Sequence, residues 1–233
     1  MNQRAKGVTC TALVLALALH GCSKSGSSGG GGTSSGSCTP DTLKTGIVAP
    51  QTGISADAFD CEILSWSAKF NEPDPMIFKA IIYNESRFDK NAAACTNLPC
   101  GTPMGWTAAE SGCFGLMQVV PACGGATNKP CLLPSGHPDM STDATSSDYA
   151  GSVFNPSVNI EIGIGGFADN RAQVVKQFPG CTEEQYTLMA LGNYANYGST
   201  KSCTVYNTSY TSLVLSTYHT YAMAAGYPAH NYP

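Results

Sequence analysis

The stretch IFKAIIYNESRF, residues 77–88, carries a carboxylate where the apolar spacing of a helix calls for a hydrophobic side chain. Phe78, Ile81 and Ile82 have the i, i+3, i+4 spacing of a buried helix face, and the i+7 position is Glu85. A carboxyl group on such a face is partly removed from water, which disfavours its charged form and raises its pKa. An acid that stays protonated near neutral pH can act as a general acid, for example on the oxygen of a glycosidic bond. The alternative is a solvated glutamate where the helix ends, and Glu85 alone does not decide between the two.

The elements that would position Glu85 are helices with recognisable start signals. Asp74-Pro75 and Asn155-Pro156 each combine a favoured N-cap with proline at the first helical position, and Thr182 to Gln185 forms a capping box. These signals and the apolar spacing predict helices near 57–70, from 74 past Glu85, from 155 to about 178, from 182 onward, and near 209–225. Residues 89–153 are predicted to be mostly irregular, apart from the apolar run FGLMQVV at 114–120.

Apolar residues mark the side that each later helix should bury. After Asn155 they are Ile160, Ile164, Phe167, Val174, Val175 and Phe178. On the last helix the side to be buried carries Leu213, Val214, Thr217, Tyr218 and Tyr221, and Gly226 with Pro228 should end that helix. No alternating run is long enough to require a large sheet, so we expect a mainly α fold.

The N-terminus has the features of an export signal. A basic start followed by the short apolar run VTCTALVLALAL predicts a signal peptide at 1–21, too short to remain as a membrane-spanning helix. The tetrapeptide LHGC resembles a bacterial lipobox, which makes Cys22 the lipidated first residue of the mature chain; the alternative is simple cleavage and secretion. Residues 22–39 would then be a lipid-anchored Gly/Ser linker, and 40–233 a single folded domain.

The charge balance limits the kinds of partner. The chain has 12 basic and 16 acidic residues. Removal of residues 1–21 takes away Arg4 and Lys6 and no acid, which leaves 10 basic against 16 acidic residues, a net charge of −6. An acidic chain without basic runs argues against nucleic acid as a partner.

The cysteines indicate a disulfide framework. Nine of the 11 remain when Cys10 and Cys22 are set aside: Cys38, Cys61, Cys95, Cys100, Cys113, Cys123, Cys131, Cys181 and Cys203. In an exported protein disulfides are the default, and a metal site is disfavoured because there is no close C-x-x-C and the histidines are scattered. Because nine is odd, one thiol should be free or paired between chains, and we expect Cys38, at the end of the linker, to be the one left unpaired within the chain. Loops 95–100 and 123–131 suggest local bridges and Cys181 with Cys203 could brace a helix, but spacing leaves the connectivity open.

Four segments in chain order carry the distinctive motifs: DPMIFKAIIYNESRF at 74–88, GCFGLMQVVP at 112–121, NPSVNIEIGIGGF at 155–167 and ALGNYANYG at 190–198. Together they resemble the motifs of the soluble lytic transglycosylase family, within the lysozyme-like superfamily. The resemblance implies a single mainly α domain of the goose-type lysozyme and lytic transglycosylase type, with long disulfide-braced loops. Two departures stand out: Cys113 replaces a usual alanine, and the spacing from Glu85 to Gly115 is longer than usual.

The resemblance also implies roles for individual residues. Glu85 matches the single catalytic acid/base of the family. Residues expected to bind substrate are Ser111, Met117, Gln118, Asn193 and Tyr194. Asn193 and Tyr194 stand where the family has a Tyr-Asn pair in the opposite order, so either could inherit the task of supporting Glu85.

The implied reaction is cleavage of the β-1,4 bond between N-acetylmuramic acid and N-acetylglucosamine with formation of a 1,6-anhydro ring, and it needs no cofactor or metal. One alternative is a goose-type-lysozyme-like hydrolase, with Asp89 or Glu110 as a second carboxylate. The other is a non-catalytic glycan-binding lipoprotein. The expected partners are peptidoglycan strands and, through the lipid anchor, a membrane. We expect a monomer at the periplasmic face of the bacterial outer membrane or in the cell envelope.

Overall fold

The fold consists mainly of helices that pack against one another. The computed structural model describes residues 38, 40–94, 113–119, 154–195 and 200–232. The helices are α1 (Asp60–Lys69), α2 (Pro75–Ser86), α3 (Pro156–Gln177), α4 (Glu183–Ala195) and α5 (Thr208–Ala225), preceded by a 3-10 turn at Pro40–Thr42. Two short antiparallel strands, β1 (Ala93–Ala94) and β2 (Cys113–Phe114), pair Ala93 with Phe114 and Ala94 with Cys113. The prediction of a mainly α fold is confirmed.

Helix α2 is the central element. Its residues from Met76 to Ile82 are all buried, and a helix that is buried around its whole circumference must be enclosed by others. It packs against α5 and α1, while α3 packs against α4 and α1. The rings of Phe78 on α2 and Phe167 on α3 meet edge to face with centroids 5.1 Å apart. The residue that follows this enclosed stretch by three positions is Glu85.

Most of the predicted helix ends are observed. The Asn155 side chain accepts hydrogen bonds from the backbone N–H groups of Ser157 (3.0 Å) and Val158 (3.3 Å). In the capping box, the Thr182 N–H donates to the Gln185 side chain and the Gln185 N–H donates to Thr182 Oγ1. Gly226 ends α5 in the left-handed conformation, with φ of 62°.

Two helix starts differ from the prediction, because the carboxylates of Asp74 and Asp57 accept hydrogen bonds from distant residues instead. Asp74 precedes α2 but makes no side-chain cap bond. Its Oδ2 instead accepts a hydrogen bond from the hydroxyl of Tyr232, 158 positions away. Helix α1 begins at Asp60 rather than near Asp57, because the Asp57 carboxylate accepts hydrogen bonds from Thr45 and Gly46.

The predicted buried faces are observed, with two positions exposed and two, Phe178 and Thr217, only partly buried. Val174 on α3 and Val214, Tyr218 and Tyr221 on α5 are buried. Leu213 is 53% exposed and Val175 is 39% exposed.

Residues 40–59 are attached to α2 by a buried ion cluster. The fully buried Lys79 donates to Asp57 Oδ1 (2.6 Å), to Asp60 Oδ1 (2.8 Å) and to the backbone oxygen of Leu43 (2.6 Å). All three ammonium hydrogens therefore have acceptors, as a buried cation requires. The pKa of Asp57 is lowered to about 2: burial opposes the charge, and hydrogen bonds from Lys79, Thr45 and Gly46 outweigh that effect.

The disulfides confirm one suggested pair, and they correct the prediction for Cys38. Cys181 and Cys203 are joined, with 5.6 Å between their Cα atoms. Cys38, which we expected to be unpaired, is bonded to Cys61 on the first turn of α1, with 5.5 Å between Cα atoms. The prediction failed because the chain after the linker lies against α1. Cys113 is also disulfide-bonded. The local bridges predicted for 95–100 and 123–131 lie outside the described residues, as do 1–37.

Two features are absent from the described residues. None of their helices combines the length and the apolar character needed to cross a membrane. No group of three or more His, Cys, Asp or Glu side chains in that part of the chain is placed to hold a metal ion.

Candidate active site

Glu85 lies in the last turn of α2, and its carboxylate is held by a tyrosine from another helix. The side chain is partly buried, and the preceding turn contributes the fully buried Ile81 and Ile82. Tyr210, in the first turn of α5, donates its hydroxyl hydrogen bond to Glu85 Oε1. Tyr210 is itself positioned by the N-cap of α5, because Asn207 Oδ1 accepts from the Tyr210 backbone N–H (3.3 Å).

The surroundings of Glu85 change its acidity. Burial raises the pKa of Glu85 from 4.5 to about 7, and this is the largest effect. The hydrogen bond from Tyr210 and the positive charge of Arg87 act in the opposite direction, because both stabilise the carboxylate. The same carboxyl group can therefore be protonated or ionised near neutral pH, which is what a residue that first gives and then takes a proton needs.

The second component is a buried turn at 113–119. Phe114 and Val119 exchange backbone hydrogen bonds of 3.0 Å, and between them Gly115 (φ 74°) and Gln118 (φ 48°) adopt the left-handed conformation. The Gln118 side-chain amide donates to the backbone oxygens of Gly115 (2.9 Å) and Ala92 (3.1 Å). This amide closes the turn and holds it against β1.

Helix α3 fixes this turn from behind. Asn159 Oδ1 accepts from the Met117 backbone N–H (2.7 Å), and Asn159 Nδ2 donates to the Phe114 backbone oxygen (2.8 Å). One turn further along, a Cβ on Gly163 would lie only 2.7 Å from Met117 Cβ. Asn159 and Gly163 stand four positions apart in the motif segment at 155–167, and their contacts with the turn explain that spacing.

Tyr194 connects the turn to the Glu85–Tyr210 pair. Its hydroxyl donates to the backbone oxygen of Met117 (2.7 Å). Its ring is stacked on Tyr210, with centroids 6.5 Å apart and planes at 24°. Burial raises the pKa values of both tyrosines well above 10, with a further contribution from the Glu85 charge, so both hydroxyls remain hydrogen-bond donors.

The structure thus brings Glu85, Met117 and Tyr194 together through Tyr210. Of the Asn193–Tyr194 pair, Tyr194 faces this cluster, while Asn193 Oδ1 accepts from the Thr200 backbone N–H (3.2 Å). Met117 is fully buried and Gln118 is 8% exposed, so their place as substrate-binding residues stays a prediction. Ser111, Cys22 and Glu110 lie outside the described residues.

Sequence reasoning missed two residues of this arrangement, Tyr210 and Asn159. Tyr210 had a signal, because it lies one helical turn before Val214 and therefore on the face of α5 predicted to be buried. Asn159 had one too, because it lies in the motif segment at 155–167. Neither signal identifies the residue that is contacted. Glu85 lies 125 positions from Tyr210, and Met117 lies 42 positions from Asn159.

Asp89 is the one candidate for the second carboxylate of a hydrolase that falls within the described residues. Its Oδ1 accepts from the Asn91 backbone N–H (2.9 Å), a local turn contact just after α2. Among the described residues, the side chains that shift the pKa of Glu85 are Tyr210 and Arg87, and no carboxylate is one of them.

Comparison with known proteins shows which family the sequence matches. A family model described as Transglycosylase SLT domain matches residues 63–202, more than half of the chain. The match begins within α1 and extends past α4, so it includes Glu85, the 113–119 turn, Asn159 and Tyr194. Neither a search of curated proteins nor a search of solved structures gave a match.

Proposed function

Because the chain belongs to the transglycosylase SLT domain family, whose members act on peptidoglycan, we propose that it is a peptidoglycan lytic transglycosylase. It cleaves the β-1,4 bond between N-acetylmuramic acid and N-acetylglucosamine and leaves a 1,6-anhydromuramoyl end. The observation that carries the proposal is the environment of Glu85: a carboxyl group with a pKa raised to about 7 by burial and held by the hydroxyl of Tyr210.

The proposed first step is protonation of the leaving group. The protonated Glu85 gives its proton to the glycosidic oxygen as the bond from that oxygen to C1 breaks. The Tyr210 hydroxyl and the positive charge of Arg87 stabilise the carboxylate that results. Positive charge that develops at C1 is relieved by the substrate's own N-acetyl group, so no protein nucleophile is required.

The second step closes the anhydro ring. The Glu85 carboxylate takes the proton of the C6 hydroxyl of the muramoyl residue while that oxygen forms a bond to C1. One proton has left Glu85 and one has returned, and no water is consumed. A single carboxyl group therefore suffices, in contrast to the two-carboxylate scheme of most glycosidases. In this proposal the 113–119 turn, fixed by Asn159 and Tyr194, would line the sugar-binding groove.

The mass of the products tests the proposed reaction. Purified peptidoglycan would be digested to completion and the released disaccharide-peptides weighed. We expect muramoyl ends that are lighter by one water than a hydrolase would leave. Ends that carry the added water would show a hydrolase on the same fold, and no release of fragments would favour a glycan-binding protein.

We further propose that the protein acts in the cell envelope as a lipid-anchored monomer. The support is the N-terminal sequence, in which an export signal at 1–21 precedes Cys22 and a Gly/Ser linker. Cys22→Ser should move the protein from the membrane fraction to the soluble envelope fraction without loss of peptidoglycan turnover. Unchanged membrane association of this variant would show that Cys22 carries no anchor.

A further inference from the structure

A cavity separate from the Glu85–Tyr210 pair lies where residues 40–59, α2 and α5 meet. Its volume is about 230 Å³. One wall includes Ile47, and the other is formed by Ser216, Thr217 and Thr220 of α5, with the rings of Tyr83 and Tyr221 also lining it. Thr217 follows Tyr210 by seven residues on the same face of α5, which places it about 10 Å along the helix.

The lining offers hydrogen bonds and aromatic surface but no charge. None of the side chains that line the cavity is acidic or basic. Ser216 and Thr220 are exposed at the mouth of the cavity, and Thr220 Oγ1 donates to the Ser216 backbone oxygen (3.0 Å), which leaves the lone pairs of Oγ1 able to accept. Hydroxyls beside an aromatic ring suit a neutral ligand with many hydroxyl groups.

A buried polar atom of the lining lacks a partner, and so does one of a residue that is hydrogen-bonded to the lining. The hydroxyl of Tyr221, a residue 3% exposed, has no hydrogen-bond partner within the described part of the chain. The same holds for Oδ1 of Asn84, which is 8% exposed. Asn84 is tied to the cavity wall, because its Nδ2 donates to Thr217 Oγ1 (3.0 Å). Most buried polar groups are paired, so an orphan hydroxyl on a residue that lines the cavity points to a polar occupant.

We infer that this cavity is an accessory glycan site, which binds one N-acetylglucosamine unit of a peptidoglycan strand away from the bond that is cut. The ligand class rests on the proposed function. The sugar's hydroxyl and amide groups would pair with the Tyr221 hydroxyl and the hydroxyls of α5, and its apolar face would lie on the tyrosine rings. Such a site would keep the enzyme on an insoluble polymer between successive cleavages.

The test is an NMR titration of the full-length protein with the tetramer of N-acetylglucosamine. In the wild type we expect saturable shifts of the backbone amides of 216–221. Thr220→Trp should fill the cavity and abolish these shifts. Tyr221→Phe removes only the orphan hydroxyl and should weaken binding at this site about tenfold, the value of one hydrogen bond, without lowering the melting temperature.

Val175→Trp is the matched control, because it adds the same ring at an exposed position of another helix that does not line the cavity. It should leave the shifts at 216–221 intact. Wild-type shifts confined to residues around Glu85 and Tyr210, or equal binding at 216–221 by the wild type and Thr220→Trp, would overturn the accessory site. Digestion of peptidoglycan by the same wild-type sample separates this result from a failure of the proposed function, since turnover without the 216–221 shifts contradicts only the accessory site.

Discussion

The pKa of Glu85 is set by the residues that surround it in the fold rather than by its position in the chain. Burial alone would make it a weak acid that resists ionisation, and the hydroxyl of Tyr210 moderates that effect by stabilising the carboxylate. The balance leaves a pKa of about 7, close to the optimum for a group that acts as acid and base in turn.

Tyr210→Phe tests that balance. The protonated form of Glu85 starts the reaction, so kcat/KM should be level at low pH and fall above the pKa. Loss of the hydroxyl removes an effect that lowers the pKa, so the alkaline limb should move to higher pH. The plateau should fall about tenfold, because the carboxylate loses a hydrogen bond of its charged state.

A matched control for that measurement is Tyr232→Phe, which removes a hydroxyl that contacts Asp74 instead of Glu85. Its alkaline limb should coincide with that of the wild type. An alkaline limb of Tyr210→Phe that stays in place or moves to lower pH would mean that the Tyr210 hydroxyl does not stabilise the Glu85 carboxylate.

Sequence alone singled out Glu85 as the candidate acid and did not determine the tyrosine that contacts it. The interruption of an apolar stripe is a local signal, and so is the motif around it. The contact with Tyr210 is not local, because it depends on how α5 crosses α2. The order of Asn193 and Tyr194 raised a question that only the packing answers: the hydroxyl on Met117 belongs to Tyr194, and the hydroxyl on Glu85 to neither.

At the scale of elements, the 113–119 turn takes its shape from α3. Two backbone groups of the turn are paired by Asn159, and Met117 fits against the bare backbone of Gly163. The local hydrogen bonds of the turn leave the Met117 backbone N–H without a partner inside the turn, so a helix that supplies an acceptor and space is required.

Gly163→Ala should disturb the turn. The new methyl would lie 2.7 Å from Met117 Cβ, which is not the flexible end of that side chain. We expect a loss of about 1–3 kcal/mol in the free energy of unfolding and a fall in peptidoglycan turnover, because the Tyr194 contact is on the same residue. Denaturant unfolding and a turnover assay on one preparation measure both.

Gly166→Ala, three residues further on α3, is the control, because nothing lies within 4 Å of a Cβ at that position. Alanine is the better helix former by up to about 1 kcal/mol, so this variant should be as stable as the wild type or more so. Equal effects of the two substitutions would mean that the fit of Met117 to Gly163 is unimportant.

Helix ends were predictable where their partners are close in the chain. Asn155, Thr182 with Gln185, and Gly226 act within a few residues, and all three signals are confirmed. Asp74 has the same local signal but gives its carboxylate to Tyr232 from the far end of the chain. A side chain caps its own helix only when no distant residue binds it instead, and sequence shows only the partners that are close in the chain.

At the scale of the whole molecule, residues 40–59 belong to the same packed body as the helices. They are joined to it by the Cys38–Cys61 disulfide and by the buried Lys79 cluster. Sequence analysis described Lys79 only as part of a helix, since burial of a lysine becomes visible only when Asp57 and Asp60 are found beside it.

Lys79→Met should lower the free energy of unfolding by about 3–5 kcal/mol, because it leaves the buried Asp60 without its counter-charge. Lys176→Met, at an exposed position of α3, should change it by less than about 0.5 kcal/mol. Urea unfolding followed by circular dichroism gives both values. A Lys79→Met variant within about 1 kcal/mol of the wild type would show that the cluster contributes little to stability.

We expect the ionised form of Glu85 to lower the free energy of unfolding at high pH. Its pKa rises from 4.5, the ordinary value of a glutamate in water, to about 7 in the folded protein, so between these values the folded state binds more protons than the unfolded state. The free energy of unfolding therefore falls as pH rises through that window, by roughly 3 kcal/mol at most. Glu85→Gln removes the dependence, so it should melt near the wild type at pH 4 and above it at pH 8. The opposite order at pH 8 would contradict the burial of Glu85.

The central claim is that one carboxyl group, Glu85, performs both proton transfers on peptidoglycan. The most direct measurement is the rate at which Glu85→Gln releases anhydromuramoyl fragments from purified peptidoglycan, compared with the wild type at pH 6. Glutamine keeps an oxygen that can accept from Tyr210 but has no proton to give, so the rate should fall by at least about 10³-fold while the variant stays folded. A folded Glu85→Gln variant that retains a tenth or more of the wild-type rate would show that the acid lies elsewhere.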